Sequence, residues 1–116
     1  MFEDKELLRL AVSSAFNETI LREGSYRTLE ELSSYYKTYM KLRFEMLDPN
    51  NKVLHEGSLK AYDCTLRLIS DIMNSLDELD SDEKNKIIFK KILQKDYDKI
   101  KALKEEFKKK LFEFYE

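Results

Sequence analysis

The chain has 116 residues, a formal net charge of −2, and 42% hydrophobic and 38% charged residues. These values are typical of one globular domain with a highly charged surface, and they exclude both a disordered chain and a general electrostatic attraction to nucleic acid or membranes. Two glycines and one proline are too few turn residues for a β protein, so the composition favours long helices.

The first predicted helix runs from Glu3 to about Arg22. Small and apolar residues recur on one side at helical spacing, and we expect this stripe to face the core: Leu8, Ala11, Val12, Ala15 and Thr19, with Leu7 and Phe16 beside it. Gly24 suits the left-handed position that ends a helix. Thr28, followed by Glu31, matches a capping box for the next helix.

The second predicted helix spans about Tyr26 to Leu47. Its stripe contains one charged residue among apolar ones: Leu29, Leu32, Tyr36, Tyr39, Arg43 and Met46, with Met40 and Leu47 beside it. The segment 48–52, which contains the only proline, predicts the turn that ends this helix. The following segment 53–55 is compatible with a short extended piece.

The third predicted helix, from about Ser58 to Leu79, has the broadest apolar arc in the chain. Its central seam consists of Leu59, Tyr62, Leu66, Ile69, Met73 and Leu76, and smaller residues widen it on both sides. A helix with so wide an apolar surface should contact two neighbours. This helix is therefore expected at the centre of the core.

The fourth predicted helix is capped by residues 80–82 and continues to the end of the chain. Its apolar residues Leu93, Ile100, Phe107 and Phe114 recur every seven positions, a spacing shared with coiled coils. An unbroken helix of this length would span about 50 Å, so it either kinks near Asp96 or projects at its end. The sequence as a whole predicts an all-α fold, an antiparallel up-down four-helix bundle forming one domain over residues 1–116.

The residues needed for common catalytic and metal sites are sparse. His55 is the only histidine and Cys64 the only cysteine, so catalytic triads, zinc sites and Glu-x-x-His di-iron sites are not expected. Two pairs of carboxylates have the spacing of a magnesium site, Glu3 with Glu6 and Asp77 with Asp80. They fall at opposite ends of the predicted bundle, so they could not share a metal ion. We therefore expect a non-catalytic protein without a cofactor or metal. The lone thiol and the lack of a signal or membrane-spanning pattern predict a cytoplasmic protein.

Two ionisable residues of opposite sign occupy core-facing stripes. Arg43 lies in the stripe of the second helix and Asp96 in that of the fourth. Since an unpaired buried charge costs several kcal/mol, we expect them to form a buried ion pair, unless each reaches solvent at its helix edge. Cys64 borders the apolar arc of the third helix. It is interpreted as a small hydrophobe or, near Lys60 and Arg67, as a stabilised thiolate.

Aromatic residues mark two surfaces on which another protein or a second copy of the chain could bind. One is the C-terminal end, with Phe112, Phe114 and Tyr115; the other is the second helix, with Tyr35 and Tyr39. If the fourth helix extends beyond the bundle, its aromatic end needs another chain to cover it. The sequence thus predicts a protein–protein interaction module, that is, a regulator, adaptor or inhibitor, whose partner is another protein or a second copy of the chain.

Basic residues along the fourth helix indicate an alternative function. One side of this helix carries Lys90, Tyr97, Lys101, Lys104 and Lys108. Lysines with an interleaved aromatic ring could bind the backbone and bases of RNA or DNA. Glu105 and Glu106 dilute this charge, and a solvated helix face is the simpler interpretation.

Overall fold

The computed structural model describes residues 4–50 and 58–115, except for the side chains of Asp4, Glu6, Leu7, Leu10, Ala11 and Tyr115. These residues form four α-helices: α1 (Asp4–Glu23), α2 (Leu29–Met46), α3 (Leu59–Ser75) and α4 (Glu83–Tyr115). A short 3₁₀ helix, Leu76–Glu78, follows α3. The all-helical prediction is confirmed for this part of the chain. The expected extended piece at 53–55, His55 and Glu3 lie outside the described residues.

The predicted helix ends between α1 and α2 are present. Gly24 has a φ of 69°, and the Ser25 N–H donates to the Ile20 carbonyl at 3.0 Å, which closes the end of α1. The Thr28 hydroxyl accepts from the Glu31 N–H at 3.1 Å, and a Glu31 carboxylate oxygen accepts from the Arg27 N–H at 2.8 Å. This reciprocal pair starts α2 at Leu29, three residues later than predicted.

The helices pack mainly as two pairs, α1 with α2 and α3 with α4, and further contacts join α1 to α3 and α2 to α4. The core is formed largely by the predicted stripes of α2, α3 and α4. Its fully buried members include Leu32, Tyr36, Tyr39, Leu47, Tyr62, Leu68, Ile69, Ile72, Leu76, Leu93, Ile100 and Phe107. As expected from its wide apolar arc, α3 contacts two neighbours.

The fourth helix begins where Asp82 caps it, through a bond from the Lys84 N–H to the Asp82 carboxylate at 3.1 Å. It is one element of 33 residues, and its helical assignment continues through Asp96. Two aromatic contacts join it to its neighbours. The ring of Phe89 meets the ring of Tyr36 edge-on at 5.5 Å, and the ring of Phe107 lies 5.5 Å from that of Tyr62.

The prediction for the core-facing side of α1 is wrong. Leu8, Val12 and Phe16 are 66%, 62% and 65% exposed, and Ala15 and Thr19 are also exposed. The side that packs against the other helices carries Ser14, Asn17 and Leu21, with Glu18 at its edge. On this side Glu18 binds an arginine of α2, an interaction described below.

Candidate partner-binding surfaces

A cluster of polar side chains around Arg43 connects α1, α2 and α3. The Arg43 guanidinium donates to Glu18 at 2.9 Å and to the Tyr39 hydroxyl at 3.0 Å, and it lies 5.2 Å from the centre of the Tyr39 ring. The other Glu18 oxygen accepts from Arg22 at 2.9 Å, and Arg22 also donates to the Cys64 carbonyl at 3.4 Å. One carboxylate therefore bridges two arginines.

The predicted ion pair between Arg43 and Asp96 is not the arrangement in the structure. Asp96 instead accepts a hydrogen bond from the Tyr36 hydroxyl at 2.7 Å. Each residue thus has a different partner from the one expected, because α1 brings Glu18 to Arg43 and α2 brings a hydroxyl to Asp96. Tyrosine looked like an apolar stripe residue in the sequence, so its role as a hydrogen-bond donor was missed.

Three core tyrosines have raised pKa values. Burial raises the pKa of Tyr36, and the Asp96 carboxylate beside it raises that pKa further. Burial is also the main cause of the raised pKa of Tyr39, although Arg43 opposes it. The pKa of Tyr62 is raised by burial, with added contributions from the charges of Asp48 and Glu106. These hydroxyls are therefore structural hydrogen-bonding groups that stay protonated.

The C-terminal end of α4 extends past the core. The stripe that faces the other helices is buried through Phe107 and Leu111, but the next member, Phe114, is 64% exposed. Phe112, on another side of the helix, is 70% exposed. The side chain of Tyr115 lies outside the described residues. We call Phe112 and Phe114 together the aromatic end.

Of the two α2 tyrosines predicted to bind a partner, one is inaccessible. Tyr39 is fully buried and holds Arg43, so its assignment as a partner-binding residue is wrong. Tyr35 is half-buried and packs against the core. The spacing of Tyr39 placed it correctly in the stripe of α2, and that position buries it.

Acidic neighbours bind several of the lysines on α4. Lys90 pairs with Asp77 at 3.1 Å, Lys104 with Asp63 at 2.6 Å, and Lys108 approaches Glu105 at 3.5 Å. Lys101 is exposed, and Tyr97 is half-buried against the core. The structure therefore places these side chains along one helix but engages three of the four lysines with carboxylates.

A groove that the sequence did not predict lies between the N-terminal halves of α2 and α4. Its volume is about 500 Å³, and its apolar floor is formed by Leu29, Ile88, Phe89 and Ile92. Lys37, Glu30 and Asp80 line its rim. Because its two sides belong to helices distant in sequence, no local pattern could have revealed it.

The described residues contain no group of three or more His, Cys, Asp and Glu side chains arranged to hold a metal ion. The Cys64 side chain is exposed, so it is not a core hydrophobe. None of the described helices has the length and apolarity that crossing a bilayer requires. Comparisons with family models, with curated proteins and with solved structures found no match.

Proposed function

We propose that the protein is a non-catalytic protein–protein interaction module, a regulator, adaptor or inhibitor, that binds its partner through the aromatic end of α4. The observation that carries this proposal is the exposure of Phe112 and Phe114 beyond Leu111, the last buried residue of that stripe. Aromatic residues are enriched where proteins bind one another, and an exposed helix end can enter a groove on another chain.

The charges beside the aromatic end define the kind of partner. Lys108 and Lys109 are exposed one turn before Phe112, and Glu113 is exposed beside it. Lys108 has Glu105 nearby, which leaves Lys109 as the cation best placed to meet a partner. The surface fits an apolar groove on another protein with acidic residues at the end facing the bundle.

This function requires a rigid support for the helix end. The proposed support is an up-down four-helix bundle, in which α1 and α2 form one antiparallel pair and α3 and α4 another. Short connections of α1 to α2 and of α3 to α4, with packing within each pair, support this arrangement. The proposal also places the protein in the cytoplasm, where an exposed lone cysteine such as Cys64 stays reduced.

The proposal is tested by capture of partners from lysate of the native host, treated with nuclease. The wild-type protein is compared with Phe112→Ser/Phe114→Ser and with the control Ile87→Ser, which removes an exposed apolar residue at the opposite end of the same helix. The proposal expects a protein that binds the wild type and the control but not the double variant. Equal capture by all three would overturn it.

Nucleic-acid binding along α4 is the second candidate, supported by exposed Lys101 and by the lysines aligned with it. The carboxylates that pair with Lys90, Lys104 and Lys108 weaken the case for nucleic-acid binding, since they neutralise much of the charge that would bind phosphates. A heparin column tests this alternative. Retention that falls with rising salt, and that is weaker for Lys101→Ala/Lys104→Ala than for the wild type, would favour it over the first proposal.

A further inference from the structure

Helix α1 buries two polar side chains beside Leu21 on the side that faces the other helices. Its inner side buries Ser14, which is 1% exposed and whose hydroxyl makes no hydrogen bond within the described part of the chain. Asn17, also buried, donates to the carbonyl of Ser13 in its own helix. A buried unpaired hydroxyl costs about 1–3 kcal/mol. Packing within the described part of the chain also leaves the large apolar residues on the outer side of α1 uncovered.

The outer side of α1 carries the apolar stripe. Leu8, Val12 and Phe16 follow one another at four-residue spacing, so they lie in a row along the helix, with Ala15 and Thr19 beside them. Single exposed apolar residues are common on protein surfaces, but a continuous row of large ones marks a surface that another chain covers.

The charges at the two ends of this row complement each other. Lys5 is exposed at the N-terminal end and Glu23 at the C-terminal end, and helical spacing places both on the outer side. Seven residues, or two turns, separate Lys5 from Val12, and seven separate Phe16 from Glu23. When two such helices lie antiparallel with Val12 against Phe16, the lysine of each meets the glutamate of the other.

We propose that the outer side of α1 binds the same side of a second copy, antiparallel and related by a two-fold axis. Val12 packs on the partner's Phe16 near the axis, and Lys5 pairs with the partner's Glu23 at both ends. A two-fold interface is self-complementary, as this distribution of charge requires. A single helix surface is smaller than the roughly 800 Å² per partner of a standard interface, so we expect a dissociation constant in the micromolar range.

The test is sedimentation of the full chain over a range of concentrations, using charge reversals that leave the apolar row intact. Lys5→Glu places two acidic residues against each other, and Glu23→Lys places two basic ones against each other. Each single variant should dimerise roughly tenfold more weakly than the wild type. The double variant Lys5→Glu/Glu23→Lys should recover wild-type dimerisation, and an equimolar mixture of the two single variants should form a heterodimer.

The same experiment shows how the proposal could fail. In a parallel dimer Lys5 would meet Lys5 and Glu23 would meet Glu23, so neither single variant would weaken dimerisation, and a mixture of the two would dimerise more tightly than the wild type; this result would overturn the antiparallel arrangement. A monomeric wild type, or dimerisation that Val12→Glu leaves unchanged while circular dichroism shows a folded protein, would overturn the proposal. Phe112→Ser/Phe114→Ser should dimerise like the wild type, so failure of this proposal is distinguishable from failure of the proposed partner-binding function.

Discussion

Arg43 of α2 binds Glu18 of α1 through a contact of 2.9 Å between Nη2 and Oε2, and both side chains are largely buried. The glutamate also holds Arg22, which reaches the carbonyl of Cys64 in α3. This cluster fixes how α1 rotates about its axis, because turning the apolar row of α1 inward would withdraw Glu18 from Arg43. The polar interaction thus exposes the surface on which we propose that a second copy binds.

The pairing of Arg43 with Glu18 predicts energetic coupling between these two residues. Arg43→Met should lower the free energy of unfolding by about 2–4 kcal/mol, because it leaves a partly buried carboxylate with one partner fewer. In a double-mutant cycle with Glu18→Gln the effects should depart from additivity by about 1 kcal/mol or more. The matched cycle with Asp96→Leu should be additive within about 0.5 kcal/mol. Urea unfolding of the single and double variants measures both cycles. Coupling of Arg43 to Asp96 but not to Glu18 would contradict the structure.

The three buried tyrosines predict a loss of stability at alkaline pH. Their pKa values in the folded protein exceed the ordinary value of 10.0, so above pH 10 the unfolded chain releases protons that the folded protein retains. Stability is therefore fully present below pH 10 and falls as the pH rises above it. Tyr36 and Tyr62 should each contribute a slope of up to about 1.4 kcal/mol per pH unit, and Tyr39 acts in the same direction.

Urea unfolding measured at several alkaline pH values checks this prediction, with phenolate absorbance as a parallel signal. Tyr62→Phe is the control variant. It loses the hydrogen bond to the Leu47 carbonyl, which costs about 1 kcal/mol at neutral pH, but its stability should fall less steeply at high pH. An unchanged slope in this variant would contradict the assignment of Tyr62.

The left-handed backbone at Gly24 predicts a conformational cost for any residue with a Cβ atom. A Cβ built there meets nothing within 4 Å, so no steric clash with neighbours contributes. Gly24→Ala should destabilise the protein by about 1–2 kcal/mol, and Gly24→Asn by less, because asparagine tolerates this conformation better. Thermal unfolding of the two variants measures the difference, and equal losses would show that the turn relaxes.

Two phenylalanines on different sides of α4 should respond very differently to truncation. Phe107 is fully buried against Tyr62, so Phe107→Ala should cost about 3–5 kcal/mol. Phe112 is mostly exposed, and Phe112→Ala should change stability by no more than about 0.5 kcal/mol. A large loss in the Phe112 variant would mean that this side chain supports the fold and is not held ready for a partner.

The sequence was informative where one strong apolar stripe decides how a helix packs. The stripes of α2, α3 and α4, the cap at Thr28 and the turn at Gly24 follow from local spacing and backbone preference. The orientation of α1 does not, because its apolar row predicts one orientation and Glu18 requires another. Only the position of Arg43 on a neighbouring helix resolves this conflict, and a sequence does not contain that position.

The candidate site was predictable to a similar extent. The exposure of Phe112 follows from its place outside the repeat of α4, and the exposure of Phe114 follows from the length of that helix relative to the core. The partners of Arg43 and Asp96 were missed because opposite charge in two stripes suggested a direct pair. In the structure Glu18 at a helix edge binds Arg43, and the Tyr36 hydroxyl donates to Asp96.

The central claim, that the aromatic end of α4 meets another protein, is tested most directly by photocrosslinking. A photoreactive phenylalanine analogue is placed at position 112 and, in a control protein, at position 87 near the opposite end of the same helix. We expect a crosslinked partner of defined mass from position 112 that survives nuclease, and none from position 87. Crosslinking from position 87 alone, or from neither position while a partner is still captured, would contradict the account.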